Sequence, residues 1–342
     1  MRPALPLLLL LAHASAVLAA APDCMPARPL LLNVRIGDAT PAQRALLVGA
    51  QTPALRIVDV QTGTTLWSAG SAAPVTQHFA NMTAPFAGSL AALDTDNDGL
   101  HDRLYAGDLA GRLWRFDLHN GAPPSTWASG GVFADFSNSA GRGFLAPPDV
   151  SLAAAPHAAP WLNIALGTAA PGHLAANNRF YVLRDYTPFA AWSDAQYRDW
   201  QPLHEANLLR VATAGPPPQE QIVDGWFIEL GNGDVVTAAV TVAGQTTIAI
   251  ADSTTGAVTG CRSAFSIATL HTDSGRVQLD ASGNWRRLLS AQLPSDAVFT
   301  MTMDAAGADP ARARCALGDE PIAGCDVDTR PRRSWWRRGN AE

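Results

Sequence analysis

Residues Leu104 to Gly121 read L-Y-A-G-D-L-A-G-R-L-W-R-F-D-L-H-N-G. A short apolar run, a glycine turn, an alternating run and then Asp-x-x-x-Gly are the marks of two antiparallel strands followed by a turn. Leu46 to Gly63, L-L-V-G-A-Q-T-P-A-L-R-I-V-D-V-Q-T-G, superposes on it without a gap at an offset of 58. Gly49 falls on Gly107, Leu55 on Leu113, Asp59 on Asp117 and Gly63 on Gly121. A looser third copy joins Ile164–Gly167 (I-A-L-G) to Asn178–Asp185 (N-R-F-Y-V-L-R-D), and a fourth spans Thr247–Gly256. Helical periodicity is scarce. Antiparallel strand repeats of this length predict an all-β protein, a modified β-propeller of roughly 5–7 blades. Asp59, Asp117 and Asp252 are each expected to accept turn hydrogen bonds ahead of a glycine.

Val58 to Trp67, V-D-V-Q-T-G-T-T-L-W, resembles the blade pattern of quinoprotein-type propellers, and that likeness implies a tryptophan packed between neighbouring blades. Long loops separate the copies at 121–129, 146–160, 169–177 and 214–219, and the polar stretch 193–207 has room for a short helix. From Ala305 the chain reads as an irregular, cysteine-bearing tail ending R-P-R-R-S-W-W-R-R. Its five arginines around Trp335 and Trp336 read as a solvated terminus, with docking to a partner or an anionic polymer as the functional alternative. The expected division is a signal peptide at 1–21, the propeller at 22–304 and the tail at 305–342.

Immediately before the second copy stands D-T-D-N-D-G-L-H-D, Asp94 to Asp102. Asp94, Asp96, Asp98 and Asp102 occupy positions 1, 3, 5 and 9, with Gly99 at position 6 for the sharp reversal and the Leu100 carbonyl at position 7. This is the spacing of a calcium loop, and four clustered carboxylates repel without a cation. Position 12, where a helix-loop-helix sensor needs glutamate, is Tyr105, followed by a β-like run. The loop is therefore expected to be inserted before a strand, with Ca2+ as its ligand. His101, at position 8, is expected to face solvent.

The N-terminus reads as a secretory signal: Arg2, the apolar run Leu5–Leu11, then small residues through Ala21. No other stretch approaches the roughly 18 apolar residues of a membrane span, so an exported chain is expected. Of the 24 basic residues all are arginine, against 30 acids, a net charge of −6. No global nucleic-acid footprint follows from that balance. Cys24, Cys261, Cys315 and Cys325 suggest two disulfides with three possible connectivities. Cys315 with Cys325 would close a short loop, and Cys24 with Cys261 would join the start of the mature chain to its last third. The histidines are scattered and G-x-S-x-G is absent, so no catalytic serine constellation is indicated.

The stretch Ala92–Leu118 resembles the calcium-loop blade of the PilY family of type IV pilus biogenesis and tip proteins. The likeness continues through G-G-V-F-A-D (Gly130–Asp135), F-L-A-P-P-D (Phe144–Asp149), I-A-L-G-T (Ile164–Thr168), Asn178–Asp185 and G-W-F-I-E-L (Gly225–Leu230), and includes the closing R-R-S-W. The resemblance implies a calcium-binding, non-enzymatic propeller in pilus assembly, surface attachment and retraction control. It implies Asp94, Asp96, Asp98, Asp102 and the Leu100 carbonyl as metal ligands. It also implies minor pilins or other pilus components, and a host or abiotic surface, as partners, at the periplasm, pilus tip or cell surface. The large N-terminal region typical of the family is expected to be missing, making this a short form. The alternatives are a periplasmic scaffold or ligand-binding propeller unrelated to pili, and a quinoprotein dehydrogenase. Against the latter, no two cysteines are adjacent.

Overall fold

The computed structural model describes residues 30–40, 42–48, 54–86, 90–137, 142–154, 159–169, 177–211, 223–231, 233–235, 237–242 and 245–252. Beyond these it describes the backbone of strands between 262 and 328. The first sheet runs β1 (Leu30–Val34), β2 (Ala42–Val48), β3 (Ala54–Asp59), β4 (Thr65–Gly70) and β5 (Gln77–His78) in spatial order, antiparallel except for the last pair. The second is an antiparallel meander of β6 (Ala91–Leu93), β7 (Arg103–Gly107), β8 (Arg112–Leu118) and β9 (Ala128–Asp135). The third contains β10 (Asp149–Ala153), β11 (Trp161–Gly167), β12 (Asn178–Asp185), β13 (Leu209–Arg210) and β14 (Gly225–Gly231), with β13 added parallel to β14 at its edge. In a fourth, β15 (Gly233–Val235) and β16 (Val240–Val242) both pair with β17 (Gln245–Asp252).

Period-2 alternation decides which neighbour each side chain meets. On β7, Leu104 and Ala106 join an apolar layer shared with Leu32, Leu46, Ile57 and Trp67 of the first sheet. Tyr105, between them, joins Leu162, Ile164 and Tyr181 of the third. On β12 the same split sends Tyr181 and Leu183 to the second sheet but Phe180 and Val182 toward Val235, Ile248 and Ile250. Central strands are thus buried on both faces, which is why they read as nearly continuous apolar runs. Stacking successive antiparallel sheets face to face is the architecture of propeller blades, and the expected all-β, propeller-type fold holds.

Trp67 is fully buried between the first two sheets, edge-on to Trp127 with centroids 5.2 Å apart, and its indole donates to Gln77 at 2.7 Å. The packing role expected from the blade pattern is borne out. The repeat also explains two glycines. A Cβ on Gly107 would overlap Phe144, and one on Gly167 would overlap Val235. In both places the residue after the glycine receives a backbone bond from the incoming chain: Phe144 N to Asp108 O and Val235 N to Thr168 O, each 3.1 Å. The glycine is where the following segment crosses against the strand end.

Two local expectations gain detail. The polar stretch carries α1 (Asp194–Asp199), started by a capping box in which Ser193 and Gln196 bond each other's backbone. The tail expected to be irregular from Ala305 instead contains strands Arg312–Leu317 and Glu320–Asp328, which form an antiparallel sheet with Phe299–Met303. R-A-R-C-A-L alternates polar and small or apolar residues, a strand pattern hidden by the surrounding turn-rich sequence. Residues 1–21 and 330–342 lie outside the described residues.

Candidate metal centre

The aspartate loop is the connection of the β6–β7 hairpin. Its base is clamped into the ladder: Asp102 N donates to Leu93 O and Leu118 N to Asp102 O, both at 2.7 Å. Within it each carboxylate braces the turn. Asp94 accepts from Asn97 N (2.6 Å) and Gly99 N (2.9 Å), Asp96 from Asp98 N (3.1 Å), and Asp98 from Leu100 N (2.7 Å). Asn97 (φ 64°) and Gly99 (φ 91°) take left-handed conformations, the reversal for which glycine at position 6 was read. Asp102 Oδ2 accepts from Thr95 N at 2.7 Å and Thr95 Oγ1 at 3.0 Å.

The fold brings carboxylate oxygens of Asp94, Asp96 and Asp102 within 4.8 Å of one another. Calcium takes oxygen donors at about 2.3–2.6 Å, so oxygens on one ion lie no further apart than about twice that distance. The donor set fits a hard divalent cation on both chemistry and span. Asp98 remains outside this group of three. Burial lifts the Asp102 carboxyl above its usual range against the bonds from Thr95, and the charges of Asp96 and Asp98 push the same way. A cation would relieve that repulsion.

His101, expected to face solvent, is half-buried and makes specific contacts. Its backbone N–H donates to Asn33 O at 2.8 Å, and its Nδ1 accepts from Asn33 N at 3.0 Å, docking the loop on β1. Asp59 forms the expected turn, accepting from Gln61 N and Thr62 N at 2.9 and 3.0 Å. Asp117, at the equivalent repeat position, does not. It is buried and accepts from Arg103, Arg115, Trp192 N and Tyr197. Cys24 and Cys261 lie outside the described residues, while Cys315 and Cys325 sit on the paired strands Arg312–Leu317 and Glu320–Asp328.

Sequence reading missed the polar cluster around Asp117. Arg103 and Tyr105 on β7 lie opposite Asp117 and Arg115 on β8, facing the third sheet. Arg115 reaches Asp185 at 2.8 Å, and Tyr105 donates to the same carboxylate at 2.5 Å. Both arginines donate to backbone carbonyls of the segment after β12: Arg103 to Thr187, Pro188 and Ala190, and Arg115 to Ala190. Burial pushes the Asp185 carboxyl up, but Arg115, the Tyr105 bond and Arg103 outweigh it and hold it below the usual range. Burial, with Asp185 nearby, lifts the Tyr105 phenol well above its ordinary value. The available signal was charge at alternate positions of otherwise apolar strands, R-x-Y and R-x-D.

No family model matches the chain. A 48-residue segment is 52% identical to the type IV pilus biogenesis factor PilY1 homolog of Xylella fastidiosa (strain Temecula1 / ATCC 700964). The match covers 14% of this chain and 3% of that protein. The fold is similar to the crystal structure of the Pseudomonas aeruginosa PilY1 C-terminal domain, with a TM-score of 0.61 at 14% identity over 86% of this chain and 70% of that one. A fainter likeness, TM-score 0.43 at 10% identity, is to Saccharomyces cerevisiae Sqt1. The short sequence match and the fold likeness are thus both to PilY1 proteins, the second to a C-terminal domain. Among the described residues no helix is long and apolar enough to cross a membrane.

Proposed function

We propose that this PilY-type region is a calcium-binding, non-enzymatic propeller that acts in type IV pilus biogenesis. It would be exported to the periplasm and work with minor pilins or other pilus components at the pilus tip or cell surface. The observation that carries the metal assignment is the convergence of Asp94, Asp96 and Asp102 in a hairpin loop. The pilus assignment rests on the agreement of the sequence and fold likenesses. Asp98 and the Leu100 carbonyl, at positions 5 and 7, complete the proposed donor set. A bound calcium ion would supply positive charge to these carboxylates and fix their mutual geometry. The chain's own part is to hold the donors: Thr95 orients Asp102, and the amides of Asn97, Gly99 and Leu100 set Asp94 and Asp98. The strand that follows, Arg103–Gly107, is buried on both faces, and occupancy would act on the loop and its junctions.

A calcium titration of metal-stripped protein followed by melting tests this reading. At a 100-fold excess over Kd, linkage adds about 2.7 kcal/mol. That corresponds to a rise of about 5–10 °C at ~2–4 °C per kcal/mol. Asp96→Ala with Asp98→Ala should abolish the rise, and an equal rise in the double variant would sink the site. Deletion of the gene in its own host should lower surface piliation, and full piliation would remove the pilus assignment.

A further inference from the structure

β1 is an edge strand of the first sheet, paired on one side with β2. Its other side meets the aspartate loop and the turn after β8. Besides the two Asn33–His101 bonds, Arg35 N donates to Asn120 Oδ1 at 2.9 Å, and Arg35 O accepts from Gly121 N and the Trp127 indole, both at 2.9 Å. Because Arg35 N–H is a donor, Asn120 must turn its oxygen there and its amide nitrogen the other way. That nitrogen donates to His101 O at 3.1 Å and reaches Asp102 Oδ1 at 3.5 Å. One side chain therefore spans Arg35, the residue that follows the edge strand of the first sheet, and the last carboxylate of the loop in the second.

We propose that Asn120 is a positioning residue for the loop, and that cation occupancy at Asp94, Asp96 and Asp102 is transmitted through His101 and Asn120 to β1, tightening the seam between the first two sheets. The inference rests on the calcium reading above. Asp102 has its Oδ2 taken by the two Thr95 donors, so its Oδ1 is the oxygen left for a cation, and it is the one Asn120 faces. Second-layer partners of this kind orient metal ligands. Without the cation, repulsion among the acids acts on the leg that carries both bonds to β1. With it, that leg is held, and the edge amides of Asn33 and Arg35 stay paired.

The test is hydrogen exchange at the peptide 30–36 of the full chain with and without calcium, alongside calorimetric calcium titration, for the native protein and Asn120→Ala. The native protein should bind calcium and exchange more slowly at Asn33 and Arg35 when loaded. Asn120→Ala should bind about tenfold more weakly and lose the calcium-dependent slowing at Arg35. No binding by the native protein overturns the calcium reading itself. Binding without any change at 30–36 overturns only the coupling, and this outcome needs no variant. Native-like affinity and native-like slowing in Asn120→Ala overturn the role of Asn120.

Discussion

Replacing Arg115 by Met keeps most of the side-chain volume and removes one of two buried cations from the junction of the second and third sheets. The guanidinium is fully buried and sits 4.1 Å over the Trp192 ring. It donates to Asp185 (2.8 Å), Thr187 Oγ1 (2.6 Å), Ala190 O (2.9 Å) and both oxygens of Asp117 (3.1 Å each). Asp117 keeps Arg103 at 2.7 Å, Tyr197 and Trp192 N after the change. Asp185 keeps Tyr105 and Thr187, but its remaining cation is Arg103 Nη1 at 3.8 Å. Two buried acids would then share one arginine. Removing one partner of a buried ion pair costs about 3–5 kcal/mol, so the urea midpoint should fall by that amount divided by the m-value, with m unchanged.

The pH dependence of Arg115→Met supplies a second check. In the native protein Asp185 is depressed below 3.8, so its contribution is present above that value and is lost as pH falls through the folded pKa. Losing Arg115, its strongest charge partner, leaves burial opposed only by Tyr105, Arg103 and Thr187 and so raises the carboxyl from its native position. A raised acid favours folding at low pH and opposes it as pH rises through the folded pKa. The deficit of Arg115→Met should therefore shrink as pH falls toward the variant's Asp185 pKa, which lies above the native one. A loss below about 1 kcal/mol, the range of exposed pairs, or a deficit independent of pH, would refute the reasoning.

Gly107→Ala should destabilise by about 1–3 kcal/mol, because its new methyl meets Phe144 in a filled layer. Urea unfolding checks this, and in a Phe144→Ala background the added cost of Gly107→Ala should be smaller than in the native protein. Asp149, at the start of β10, is lifted by burial to about 6, against hydrogen bonds from Thr241. Its folded pKa is raised, so stability should decline between about pH 4 and pH 6, by no more than about 3 kcal/mol. Asp149→Asn should remove that slope, and an unchanged profile of melting temperature against pH would count against the assignment.

The strand repeats were readable because alternation and glycine turns are local. The convergence of Asp94, Asp96 and Asp102 was readable for the same reason, since all three lie in one nine-residue turn, although Asp98 stays outside the group. The capping box at Ser193 was accessible to the same kind of reading. What escaped was set by neighbours far along the chain. His101 looked like a solvent-facing turn residue, and nothing near it in sequence reveals Asn33, 68 positions away.

Asp59 and Asp117 mark the boundary between the two kinds of information. Sequence by itself determined that both stand at the same point of a repeated two-strand unit, and for Asp59 that was sufficient. Its carboxylate stays at the rim, braces its own turn and pairs with Arg44 at 2.9 Å. Only the tertiary structure decided Asp117. The third sheet and the Trp192–Tyr197 segment cover it, and a covered carboxylate must find cations and donors in place of water. Arg103, Arg115 and Tyr197 supply them because the stacking of sheets brings them within reach, so equal positions in the repeat serve different ends.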